Sequence, residues 1–226
     1  MSDNIPESTQ EGENVPGWKS DLISGYHKFR AGAYKQRKDE YARLGADGQN
    51  PKIMMIACAD SRVNPASIFN AHPGELFTLR NVANIVPPYE DQTGVHGASA
   101  TIEYAVLSLK VEAIVVMGHE SCGGIECYLK GIDKLDDTSF IGDWIKLLDA
   151  AHARLSDAHK HPSVAQRELE YAGVLQSLDN LMTFPFVAKA VAAGELSLLG
   201  SYFSIIRGKL LFADKAGKFH EVSSTA

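Results

Sequence analysis

Three side chains with soft donor atoms stand where two apolar runs of this chain end abruptly. Met54-Met55-Ile56-Ala57 gives way to Cys58-Ala59-Asp60-Ser61-Arg62, and residues 114–117 give way to Gly118-His119-Glu120-Ser121-Cys122-Gly123-Gly124. Thiolate sulfur and imidazole nitrogen are the natural complement of zinc. Three such donors leave a coordination position for water, whereas a structural zinc site is normally closed by four protein ligands. Taken singly, each residue has a duller explanation, because cysteine is among the most buried residue types and is usually inert. The pattern outweighs it: His119-x-x-Cys122 puts two donors at the mouth of a turn, and Cys58 offers a third from another strand end. Cys127 lies five residues beyond Cys122, off the same helical face, and reads as a core residue.

Asp60 stands two residues after Cys58, where its carboxylate either becomes a fourth ligand or accepts a hydrogen bond from a zinc-bound water. Arg62 can hold it through a bidentate pair. Two other chemistries fail on particular positions. A cysteine-dependent phosphatase needs a longer loop between thiolate and arginine than the three residues that separate Cys58 from Arg62. A phosphate-binding glycine loop needs Lys and Ser or Thr where Gly124 and Ile125 stand.

These groups must be carried by a scaffold. Residues 52–57, 75–80 and 112–117 are short runs rich in Ile, Val, Leu and Phe, each followed by a turn and a helical pattern. Strands alternating with helices predict a mostly parallel α/β sheet of about five strands covered by helices. In such sheets ligands collect outside the carboxyl ends of the strands, where Cys58, His119 and Cys122 fall if strands one and three are neighbours. Helices are predicted over 93–109 (a stripe of Val95, Ala98, Ile102, Ala105 and Leu109), from Phe140 to Leu155 and over 169–182. A short helix follows Pro185 and stops near Gly194. Residues 196–206 and 209–214 read as a terminal strand pair at the sheet edge. Ahead of the sheet, Trp18, Leu22, Tyr26 and Phe29 recur at helical spacing, predicting an extended N-terminal helical arm broken near Gly32.

At 226 residues and 45% hydrophobic content the chain can bury one sizeable core, so 17–226 is expected to form a single domain. The net charge of −6 is concentrated at the start, where Asp3, Glu7, Glu11 and Glu13 precede the first basic residue, Lys19. Residues 1–16 read as an acidic disordered tail, and the near-balanced remainder predicts neither nucleic acid nor membrane as partner. There is no signal-peptide pattern and no run long enough to span a bilayer, so the expected location is cytoplasmic. Cysteines in that reducing setting point to metal or catalysis rather than disulfides.

The two motifs, Cys58-Ala-Asp-Ser-Arg-Val63 and His119-Glu-Ser-Cys-Gly-Gly124, with Pro73-Gly-Glu-Leu-Phe-Thr-Leu-Arg-Asn-Val-Ala-Asn84 between them, resemble those of the β-class carbonic anhydrases, specifically the plant-like subgroup. The resemblance runs from about residue 17 to 214. It implies one Zn2+ per chain on Cys58, His119 and Cys122, with Asp60 and Arg62 as the dyad beside the open position. It implies reversible hydration of carbon dioxide to bicarbonate and a proton, through zinc-bound hydroxide. Two thiolates cancel the formal charge of the metal, so its water should be less acidic than at a three-histidine site. A carbon dioxide pocket of Phe77, Val82 and Tyr104 is implied, with the Gly123 backbone N–H and Gln49 contacting substrate. Gln49 and Tyr104 would reach the site across the interface of a homodimer, or of a homotetramer built from it, with the N-terminal helix wrapped around the partner. One subgroup of the family builds an inhibitory bicarbonate site from a tryptophan and a tyrosine. Here those places hold Met55 and Phe203, so this chain is expected to lack that switch and to keep Asp60 off the metal near neutral pH. His96 is the histidine placed nearest the pocket as a proton shuttle, and an ordinary surface histidine is an equal reading of it. His152, His159 and His161 read as a solvated helix end. Two alternatives share the scaffold: a hydrolase of carbon disulfide or carbonyl sulfide, and a non-catalytic zinc-stabilised binding protein.

Overall fold

The computed structural model describes residues 16–90, 96–131, 138–156 and 162–223. Apart from Pro16, the acidic tail lies outside these residues, as do Val95, His159 and His161. The chain divides into two compact units, Met1–Gly48 and Gln49–Ala226. In the first, the predicted arm is three helices: α1 (Gly17–Ala31), α2 (Ala33–Gln36) and α3 (Lys38–Asp47). The break falls at Gly32, as the sequence predicts. Phe29, Tyr34 and Tyr41 gather their rings within 5.2–6.0 Å of one another, and Arg30 sits 4.6 Å above the Tyr34 ring, a cation–π contact. The stripe of α1 stays uncovered, with Trp18 66% and Leu22 68% exposed.

The second unit is built on a six-stranded mixed sheet in the order β2-β1-β3-β4-β5-β6. Strands β1 (Ile53–Cys58), β2 (Leu76–Asn81), β3 (Ala113–His119) and β4 (Ser197–Ser204) run parallel. Strands β5 (Lys209–Ala213) and β6 (Phe219–Glu221) close the far side antiparallel. Expectation and structure differ by one strand: β6, only three residues long, gives no periodic signal, and it moves the edge outward from β5. Strands one and three are indeed neighbours, with Ile53 opposite Ala113 through to Ala57 opposite Met117.

The central strands are apolar on successive positions because both faces are covered. Met54, Ile56, Ile114 and Val116 join Ile102, Val106, Phe184 and Val187 on one side. A short α4 (Pro65–Ile68) follows β1, and the partner side chains come from α5 (Gly97–Glu103), a following π-helical turn (Tyr104–Ser108) and α10 (Pro185–Ala192) with its N-cap Phe184. Each fully buried aliphatic side chain contributes about 1.5–3 kcal/mol. A second cluster contains Cys58, Cys122, Ile125, Ile145, Leu148, Ala151 and Leu169. The helices behind it are α6 (Gly123–Leu129), α7 (Phe140–Ile145), α8 (Asp149–His152) and the long α9 (Pro162–Leu181).

Two predicted helices change form. The segment from Phe140 to Leu155 is broken by a 3-10 turn at Lys146–Leu148, and Phe140, expected on its apolar stripe, is 95% exposed. The helix expected over 169–182 begins earlier, at Pro162, whose fixed φ suits a helix start. α9 packs on β3 and β4, and the close approach depends on glycines. A Cβ on Gly118 would stand 2.7 Å from Val174 Cγ2, and one on Gly200 3.0 Å from Val174 Cγ1. We expect Gly118→Ala to lower unfolding stability by about 1–3 kcal/mol through overpacking. Gly97→Ala, where an added Cβ meets nothing within 4 Å, should leave it nearly unchanged in denaturant titrations.

Candidate metal centre

Cys58 is the last residue of β1, His119 the last of β3, and Cys122 immediately precedes α6. Their donor atoms lie within 4.8 Å of one another, and all three residues are buried. The two sulfurs are 3.9 Å apart. Two Zn–S bonds at a tetrahedral angle require about 3.8 Å. The imidazole is oriented for the same purpose: Nδ1 donates to the Glu120 carbonyl at 2.9 Å, which leaves Nε2 to serve as the ligand atom. Nε2 is buried without a hydrogen-bond partner. An acceptor nitrogen enclosed in that way is costly unless something binds it, and a metal ion satisfies it. Donor set, spacing and orphaned nitrogen all fit zinc.

The electrostatics agree. The Cys122 thiol hydrogen-bonds to Cys58 and pulls the Cys58 thiol well below its ordinary range, against burial, while the same contact pushes Cys122 up. Burial opposes the imidazolium of His119, yet the adjacent Cys58 thiolate raises the group overall. Thiolate is the form a metal needs.

Asp60 and Arg62 meet as expected. Arg62 Nε donates to Asp60 Oδ1 at 2.9 Å, Nη2 donates to Oδ2 at 2.7 Å, and the Arg62 backbone N–H adds a third bond to Oδ1 at 2.9 Å. The guanidinium holds the Asp60 carboxyl well below the usual carboxylate range, so it stays ionised. Arg62 Nη2 also donates to the Ser121 carbonyl at 2.9 Å, tying the first motif to the second. Ser121 adopts φ 57°, a left-handed conformation uncommon for a residue with a side chain.

The remaining predicted residues are spread more widely. Gly123 opens α6 directly after Cys122 and is exposed. Val82 packs where α6 begins, since a Cβ on Gly124 would come within 2.7 Å of Val82 Cγ1, and its carbonyl accepts from Trp144 Nε1 at 2.9 Å. Phe77 and Tyr104 pair with ring centroids 5.9 Å apart, and Tyr104 is 49% exposed. Gln49 is exposed on the approach to β1, and His96 is exposed ahead of α5. Met55 and Phe203 meet in one apolar cluster on β1 and β4. Cys127, expected in the core, is only half-buried, because it sits near the end of the short α6 at the rim of its cluster.

Sequence reasoning missed three bracing residues. Glu170 of α9 is 4% exposed; its Oε1 accepts from the Cys122 N–H at 3.0 Å and its Oε2 from Tyr202 Oη at 2.7 Å. Glu120 Oε2 accepts from Ser204 Oγ at 2.9 Å and from the Ile206 N–H at 3.0 Å. Arg80 of β2 donates to backbone carbonyls beside Cys58. The signal available was a lone charge closing a strand run, as at Arg80 after Leu76-Phe77-Thr78-Leu79; Glu170, close to Arg167 and Glu168, carried none. We expect Cys58→Ser and Cys122→Ser each to abolish stoichiometric zinc in elemental analysis of the purified protein. Cys127→Ser should retain it.

Comparison with known proteins agrees with this geometry. Residues 53–210 match the sequence profile described as carbonic anhydrase. The chain is 37% identical over 190 residues to β-carbonic anhydrase 5, chloroplastic, of Arabidopsis thaliana, covering 82% of this chain and 62% of that longer protein. Its fold superposes on the β-carbonic anhydrase CcaA with a TM-score of 0.85 at 33% identity, covering 93% of this chain and 94% of the other. It also superposes on a tetrameric β-carbonic anhydrase of the filamentous ascomycete Sordaria macrospora, with a TM-score of 0.71 at 29% identity over 92% and 98% of the two chains. With the family profile covering most of the chain and the fold shared almost end to end, the protein belongs to the β-carbonic anhydrase family.

Proposed function

We propose that this protein is a zinc-dependent carbonic anhydrase, a lyase that interconverts carbon dioxide and bicarbonate. The observation that supports it most is the buried cluster of Cys58, His119 and Cys122, with an ionised, doubly held carboxylate two residues from the first ligand. Zinc bound there supplies an acidified water, the nucleophile that neutral solution lacks. The protein's own groups do the rest. Asp60 keeps acceptor capacity beyond its bonds to Arg62, so it can take a hydrogen bond from the nucleophile and aim a lone pair at the carbon of carbon dioxide. Arg62 keeps Asp60 ionised and fixes its orientation. Phe77, Val82 and Tyr104 offer apolar surface for a substrate with no net dipole, and the Gly123 N–H offers a donor to the developing negative oxygen.

The uncovered stripe of α1 and the half-exposed Tyr104 support a homodimer as the working unit, with Gln49 and Tyr104 facing a partner's site, and a tetramer as a larger assembly. The tetrameric Sordaria relative favours the same reading. Among the described residues no helix is long and apolar enough to cross a membrane, which is consistent with a cytoplasmic location. Met55 and Phe203 present no polar group where a bicarbonate switch would need one, and Asp60 is committed to Arg62.

Three measurements test the reading. Stopped-flow hydration of carbon dioxide across pH, with zinc quantified on the same sample, should show turnover that rises toward alkaline pH. Zinc retention without hydration would overturn the enzyme reading. Asp60→Asn should keep zinc and lose about 10- to 100-fold in turnover, whereas zinc loss equal to that of Cys58→Ser would show that Asp60 is a ligand instead. A crystal structure of the zinc-loaded protein at neutral pH should show both Asp60 oxygens on Arg62; an Asp60 oxygen bonded to zinc would restore the switch.

A further inference from the structure

Arg80 has no part in the chemistry described above, yet it is the side chain most engaged with the loop that carries it. It stands near the end of β2, opposite Ala57 in the register with β1. Its Nε donates to the carbonyl of Cys58 at 2.8 Å, and its Nη2 donates to the carbonyls of Asp60 at 2.7 Å and Val63 at 2.9 Å. One half-buried guanidinium therefore caps three carbonyls of residues 58–63, the turn in which β1 stops and its carbonyls lose their strand partners. The next residue of β2 adds a fourth tie, since the Asn81 carbonyl accepts from the Ala59 N–H at 2.8 Å.

We propose that Arg80 is a positioning residue for the hydration reaction, fixing the Asp60–Arg62 pair relative to the ligand Cys58 through the backbone of their shared turn. Arg62 sets the orientation of the Asp60 carboxylate, but that pair is internal to the turn and moves with it. What holds the turn against the sheet on the β2 side is the Arg80 fork together with Asn81. Three acceptors in fixed positions call for a rigid planar donor, and lysine, a point donor on a flexible stem, cannot reproduce the fork. The expected consequence of losing it is a ligand and a carboxylate that are both present but no longer held at one separation, and misplacement of that kind is costly to a reaction that depends on orientation.

The inference rests on the zinc-hydratase reading, and its test separates the two. Parent, Arg80→Lys and Arg80→Ala are loaded with zinc, checked for folding by circular dichroism, and compared in two ways. The first is the rate of zinc transfer to a chromogenic chelator, which requires no turnover. The second is hydration per bound zinc across pH. Both variants should release zinc faster and show hydration kcat/KM per zinc lower by about 10- to 100-fold, the usual cost of removing an outer support of a metal site. Arg80→Lys should recover only part of the loss, and millimolar guanidinium should restore Arg80→Ala but not Asp60→Asn. Zinc release and per-zinc hydration that match the parent in both variants would overturn the role of Arg80, as would a loss confined to thermal stability. A parent that holds zinc and hydrates nothing would overturn the hydratase reading, and the chelator rates would still report whether Arg80 holds the ligand turn.

Discussion

Parallel pairing of β1 with β3 is the constraint on which the rest depends. It brings together two strand ends about sixty residues apart in sequence, at a register that leaves Cys58 and His119 just past the paired stretch. A slip of one residue would turn the ligands to the other face of the sheet and expose the apolar positions behind them. Site and core therefore specify the same register. Met54, Ile56, Ile114 and Val116 are fully buried only in the alignment that also makes the metal cluster. The helices serve this alignment: α9 lies close to β3 because Gly118 and Gly200 leave room for Val174.

A strand end is a poor place to hold a ligand unaided, because the ladder stops and its polar groups need new partners. Charged side chains supply them here. Arg80 takes the carbonyls of the first turn, Arg62 takes the Ser121 carbonyl of the second, and Glu170 takes the Cys122 N–H from beneath. Glu170 is nearly enclosed, and burial raises its carboxyl above the usual range although Tyr202, Cys122 and Gln166 all donate to it. A buried acid is tolerable when both its oxygens have donors, and here one of those donors is the backbone of Cys122 itself.

The cluster of Cys58, His119 and Cys122, the Asp60–Arg62 pair and the parallel core were legible in the sequence because each is a local pattern: an apolar run that ends in Cys or His, or a carboxylate two residues from a guanidinium. The partners of the bracing residues were not legible, because Arg80, Glu120 and Glu170 find them across long stretches of chain that no spacing rule anticipates. Strand β6 escaped because three residues carry no period. The helix expected from Phe140 was drawn too long, since a stripe of apolar residues does not reveal that a 3-10 turn redirects it and leaves Phe140 in solvent. Gln49 and Tyr104 are exposed in the single chain, so what they face is not written in its own contacts.

The 3.9 Å approach of the two cysteines has a consequence beyond geometry. Cys58 gives up its proton readily while Cys122 clings to one, held by burial and by its bond to Cys58. Metal entering the cluster must expel that proton, so hydrogen ions and zinc compete for the same sulfur. Occupancy then follows mass action between the two cations, so the cluster is expected to hold metal less tightly as its surroundings become more acidic.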